Sequence, residues 1–344
     1  MLKGGMFTAI GSWPHADADK VTDLILKNFT DIPCWPQLPK RGFYENMYVQ
    51  YSEGLPCIVI DTEKEKIHFN TTGDIFGEIQ TVYEKFLAQD YDHFAISDKY
   101  AKGLHSFKEK IAKSGKKKIV KGQTLGPVSL GLTLTDQDKR LIFYNEQMQD
   151  AIVKASVCKA VWQAKFLKEV ADKVIIFLDE PYLVSFGSAY VSLTREQVVT
   201  MLNEVIDALH AEDVLTGVHC CGSTDWSILM ETNVDIINFD AYSYAESMMI
   251  YPKQTNDFLS KKKYLAWGIV PTAEEPILAE TPENLFKKLT AHQDKLVSLG
   301  VNQENLKNNC IITPACGVGS LSEKAAEKVI EFLKGLSNLY KGSQ

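Results

Sequence analysis

No stretch of this chain approaches the roughly 18 uninterrupted apolar residues of a membrane-spanning helix. The opening MLKGGMFTAIGSWPH has neither the charged n-region nor the long apolar h-region of a signal peptide, so a cytoplasmic protein is expected. Basic excess is missing too: the net charge of -7 disfavours a nucleic-acid or anionic-membrane surface, and the compact run Lys116-Lys117-Lys118 reads as a solvated turn. Arginine is scarce, limited to Arg41, Arg140 and Arg195, which argues against a substrate bearing many carboxylates. There is no Gly-x-Gly-x-x-Gly fingerprint, no solenoid-length repeat, no low-complexity segment and no Gly/Ser linker, so residues 1–344 are expected to form one domain. The 7 cysteines are odd in number and two are adjacent, which favours reduced, functional or buried thiols over a disulfide framework.

What is present is a rhythm. Short apolar runs occur at 7–11, 93–97, 119–124, 174–179, 215–220, 236–240, 264–268 and 310–314, mostly without alternation, as in parallel strands buried on both faces. Capped helical stretches fall between them. Thr194-x-x-Gln197, Thr281-Pro282-Glu283 and Ser322 each open one, and Phe76, Ile79, Val82, Tyr83, Phe86 and Leu87 recur at helical spacing in 74–89. Eight strand–helix units predict an α/β fold, a (β/α)8 TIM barrel. Its first βα unit is extended: residues 34–70 follow an early helix at 17–29 and are expected to form a lid or hairpin, with 57–69 as two apolar runs around a charged turn.

In such a barrel the chemistry gathers where strands end. The strand ends here carry Ser12 and His15, then Asp179-Glu180-Pro181, His219-Cys220-Cys221, Asp240, and Pro314-Ala315-Cys316. Strand alternation sends His219 and Cys221 to one side and Cys220 to the other. Imidazole and thiolate suit Zn²⁺, and ligands on separate strands describe an open catalytic site rather than a structural knot. The predicted metal set is therefore His219, Cys221, Asp240 and Cys316.

At these residues the chain resembles the C-terminal catalytic domain of cobalamin-independent methionine synthase, within the methionine synthase and uroporphyrinogen decarboxylase superfamily. The carriers are Ile10-Gly11-Ser12, Asp179-Glu180-Pro181, His219-x-Cys221, Asp240 where the family has Glu, and Cys316-Gly317. The resemblance implies a zinc-dependent methyltransferase acting on a thiol such as homocysteine. It implies that Asp179, with Ser12 and Glu180, holds the acceptor's ammonium group. A further family acid falls nearest Gln50, with Glu45 close by. His15 is a candidate for positioning the donor or for acid/base work. The folate-binding barrel of the long members has no counterpart in this sequence, and short relatives are thought to take the methyl group from a corrinoid protein, which is the expected donor partner. The alternatives are methyl transfer between a corrinoid and another thiol or a folate, a decarboxylase of the porphyrinogen type, and a non-catalytic zinc or corrinoid scaffold. The decarboxylase's early Arg-Gln-Ala-Gly-Arg is absent, with only Lys40-Arg41 in that region. Trp13, Trp35, Trp226 and Tyr242 are candidates for an apolar wall near the loops.

Overall fold

The computed structural model describes residues 2–189 and 191–343. Strands β1 (Met6–Phe7), β4 (Lys117–Leu125), β5 (Ala171–Asp179), β6 (Leu215–Cys220), β7 (Ile236–Phe239), β8 (Tyr264–Val270) and β9 (Cys310–Pro314) form one curled parallel sheet in the order β1-β9-β8-β7-β6-β5-β4. β2 (Ile58–Asp61) and β3 (Lys66–Phe69) form a separate antiparallel hairpin within the long first connection. The described residues contain no helix long and apolar enough to cross a membrane.

Period-2 side chains explain both layers of the core. On β5, Ile175 and Phe177 join Ile236, Ala266 and Ile311 inside the curl, whereas Val174, Ile176 and Leu178 pack outward against the helices. Gly217 makes room for this interior, because a Cβ there would lie 2.3 Å from the Phe177 ring. Followed toward the C-terminal strand ends, the same inward parity changes character. It passes from these apolar residues to Lys121, Gln123, Asp179, His219, Asn238 and Thr313, all buried. The fold thus sets a polar floor beneath the βα-loops.

The helices begin where their caps lie. Thr194 and Gln197 form a reciprocal capping box for helix Arg195–Ala211. Thr281 caps Pro282–Ser298, and Ser322 caps Glu323–Gly342.

The expected closed barrel of eight strands is corrected in one place. Residues 93–97 are not a strand: they start inside the tight helical turn Tyr91–Phe94 and continue without regular structure, and remote side chains take their backbone groups. Lys159 donates to Phe94 O at 2.9 Å, His105 bonds Ile96 O at 2.8 Å, and Ser97 N donates to Glu53 at 2.7 Å. The gap between edge strands β4 and β1 is instead spanned by residues 33–37, through isolated parallel bridges Cys34↔Lys121 and Ser12↔Gln37. Lys121 N donates to Pro33 O at 2.8 Å and Gln37 N to Gly11 O at 2.9 Å. A continuous ladder fails here because Pro33 and Pro36 have no N–H to donate. The sheet is therefore a curled seven-stranded sheet, like a TIM barrel but not closed.

Candidate metal centre

His219 is the penultimate residue of β6, Cys221 follows it by two residues, and Cys316 follows β9 two residues after Pro314. One ligand atom from each lies within 4.8 Å of the other two. A tetrahedral ion with Zn–S bonds of about 2.3 Å holds its ligands roughly 3.5–4 Å apart, so these three fit a zinc ion by donor chemistry and by reach. Cys220, between two of them, packs into the outer core and is fully buried.

The three groups already share protons. Hydrogen bonds from Cys316 and then His219 draw the Cys221 thiol down to about 4, against its burial. Cys316, donating to Cys221 and itself buried, is pushed up. Burial pulls His219 down, but its bond to Cys221 and the Asp179 charge outweigh that and leave it raised. On its other side the His219 ring meets Asn238: Nδ1 bonds Asn238 Oδ1.

Asp179 ends β5 opposite His219 in the ladder. It is buried, and its Oδ1 has no hydrogen-bond partner among the described residues. Burial pushes its carboxyl up to about 6, with His219 and Lys121 pulling back. Lys121 lies under this floor, donating to Ile10 O at 2.5 Å and Gln123 at 3.1 Å with its ammonium 4.5 Å above the Phe177 ring. Ser12 bears on the loop that carries Cys316. Its carbonyl accepts from Val318 N at 2.9 Å, its hydroxyl from Gly319 N at 3.3 Å, and a Cβ on Gly317 would lie 2.1 Å from its Oγ.

Other expected site residues are placed differently. Asp240 stands outside the three-ligand group, because its carboxylate turns to accept from Ser243 N at 2.8 Å. Glu180 gives both oxygens to the first turn of helix Pro127–Thr133, at 3.0 Å from Val128 N and 2.7 Å from Ser129 N. Gln50 is fully buried in an internal network, donating to Tyr100 O at 2.7 Å and accepting from Gln37 at 2.9 Å. Glu45 pairs with Arg41 at 2.7 Å. His15 is buried rather than on the surface. Its ring lies beside Trp13 with Glu323 at 3.7 Å, and the charges named as acting on it, Glu323, Lys20, Glu327 and Lys40, lie outside the cysteine group. Trp13, Trp35 and Trp226 are core residues, and Tyr242 is tied to Glu280 at 2.9 Å. The aromatic side chain that does feel the Cys221 charge is Tyr48, half-buried, which also senses Tyr182 and Glu180. Sequence spacing singled out neither Tyr48 nor Asn238. The signal for Asn238 was its place two residues before Asp240, on the inward parity of β7.

No family model matches this chain, and no curated protein matches it. Among solved structures, a B12-independent methionine synthase from Shewanella sp. W3-18-1, in complex with selenomethionine, is similar over 69% of this chain and 67% of its own, at 19% identity and a TM-score of 0.48. A methyltransferase from Methanosarcina mazei is similar over 99% of this chain and 93% of its own, at 15% identity and a TM-score of 0.56. It is the fold of this methyltransferase that the chain shares along nearly its whole length.

Proposed function

We propose that this chain is a zinc-dependent methyltransferase that passes a methyl group from a corrinoid protein or methylcobalamin to a thiol of the homocysteine class. The observation that carries the reading is one juxtaposition: an imidazole and two thiols within 4.8 Å of one another, beside a buried carboxylate whose Oδ1 has no donor. A zinc ion held by His219, Cys221 and Cys316 supplies Lewis acidity that makes an acceptor thiol acidic enough to ionise at neutral pH. Sharing a fold with a methyltransferase agrees with this reading, but the chemistry is argued from the side chains.

The chain's own residues bind and orient. Asp179 receives the ammonium group of an amino-acid thiol, which gives its unpartnered oxygen a charged donor in a buried place. Ser12 holds the loop that carries Cys316. In the transfer itself the acceptor sulfur attacks the methyl carbon. The S–C bond forms while the bond to the donor breaks, the electron pair stays with the donor, and the thiol proton leaves to solvent.

The test is metal analysis followed by the absorbance of methylcobalamin with and without homocysteine. About one zinc per chain and loss of the methyl–cobalt band only with homocysteine are expected. Cys221→Ser should lose both zinc and turnover while keeping its circular dichroism. A chain that purifies without zinc and takes none up overturns the metal assignment; zinc without demethylation overturns the donor and acceptor.

A further inference from the structure

Asn238 lies inside the curl of the sheet, fully buried, at the register position between His219 on β6 and Ala266 on β8. Its amide makes three hydrogen bonds. Nδ2 donates to Ala266 O at 2.8 Å and to Thr313 Oγ1 at 2.8 Å, while Oδ1 meets His219 Nδ1. The backbone carbonyl of Ala266 can only accept, so the amide nitrogen has to face it; the reversed amide would set two acceptors against each other in a buried place. With that orientation fixed, Oδ1 faces His219, and a carbonyl oxygen can only accept. Nδ1 must therefore carry the proton. That leaves Nε2 as the ring nitrogen free to take an ion together with Cys221 and Cys316.

We propose that Asn238 is a positioning residue that locks His219 as the Nδ1–H imidazole and aims Nε2 at the two thiols, so that the metal-binding nitrogen is chosen before any ion arrives. The inference builds on the metal reading above and adds a residue to it. Two strands beyond β6 anchor the arrangement: the orientation of His219 is held by β8 through Ala266 and by β9 through Thr313, and β9 also leads into Cys316. Outer partners of this kind typically change metal affinity by about 10–100-fold when removed.

The test compares Asn238→Ala, which removes acceptor and donors, with Asn238→Asp, which keeps an acceptor for Nδ1 but loses the donors. Zinc affinity is read by competition with a chromophoric chelator, stability by melting temperature, and the His219 ring by long-range proton–nitrogen NMR. N238A should bind zinc about 10–100-fold more weakly. N238D should melt lower yet bind zinc within a few-fold of the parent, a separation that a merely structural role does not produce. In the parent, Nδ1 should carry a proton. Parent-like zinc binding by N238A, or affinity falling in step with melting temperature in both variants, overturns the proposal. If N238A does not fold, N238D and the ring spectrum decide. If the parent binds no zinc, the metal reading fails by itself, and a bare Nδ1 still overturns the proposal while a protonated one supports it.

Discussion

Asp179 and His219 are register partners on β5 and β6, side by side at the strand ends. Neighbouring strands lie about 4.8 Å apart, so one ladder position sets a carboxylate, one of whose oxygens has no hydrogen-bond partner among the described residues, next to an imidazole. This spacing constrains the acceptor. A molecule that uses both groups has to carry its amine and its sulfur only a few bonds apart, as a short amino-acid thiol does.

Removing that charge should separate the two parts of acceptor recognition. Asp179→Asn keeps the shape but offers an ammonium group no counter-charge. Its KM for homocysteine should rise by about 10–100-fold, the equivalent of a charged hydrogen bond, while a thiol without an amine should be used as by the parent. Steady-state kinetics with both thiols checks this. Equal losses for the two would place Asp179 in the metal chemistry rather than in amine binding.

What the sequence discloses about such a site follows period. Alternation in 215–221 puts His219 and Cys221 on one face and Cys220 on the other, because strand geometry is local. Caps such as Thr194 with Gln197 are local as well. The failures are all long-range. An apolar run at 93–97 has the composition of a strand, yet its backbone is taken by Lys159, His105 and Glu53 from elsewhere in the chain. Glu180 and Gln50 are expected to help bind the acceptor, and what the sequence does not show is that Glu180 also accepts from the N–H groups of Val128 and Ser129, and Gln50 also bonds Gln37 and Tyr100. Asn238 reads as strand interior, since its partners lie on three other strands.

Glu45 supplies a pH prediction. Burial pushes its carboxyl up to about 7 from an ordinary 4.5, against the hydrogen bond and charge of Arg41. Below the ordinary value, folded and unfolded chains both hold the proton. As the pH rises from 4.5 to about 7 the unfolded chain releases it and the folded chain does not, so this group's contribution to stability falls, and above 7 the fall is complete. Glu45→Gln cannot ionise. Relative to the parent it should gain stability between pH 5 and pH 8, by on the order of 1–3 kcal/mol. Urea unfolding at the two pH values measures the difference, and a gap that stays constant across them would show that Glu45 does not titrate in this window.

The fit of Ser12 against the Cys316 loop can be tested by spoiling it and then restoring it. Gly317 follows Cys316 directly, and a methyl group there would lie 2.1 Å from Ser12 Oγ, far inside contact distance. Something has to shift. The Ser12 backbone is held by the bridge to Gln37, so either the loop carrying Cys316 yields or the Ser12 hydroxyl turns away from Gly319 N, and both loosen that loop. Gly317→Ala should therefore weaken zinc binding by about tenfold or more, as displacement of a ligand's support does. Ser12→Ala in the same chain removes the clashing oxygen and leaves the added Cβ 3.3 Å from that of residue 12, a tight but tolerable approach, so the double variant should recover most of the affinity. Chelator competition on the single and double variants reads the cycle. Tenfold weakening without recovery would mean that Gly317 is required for its backbone and not for the space it gives to Ser12.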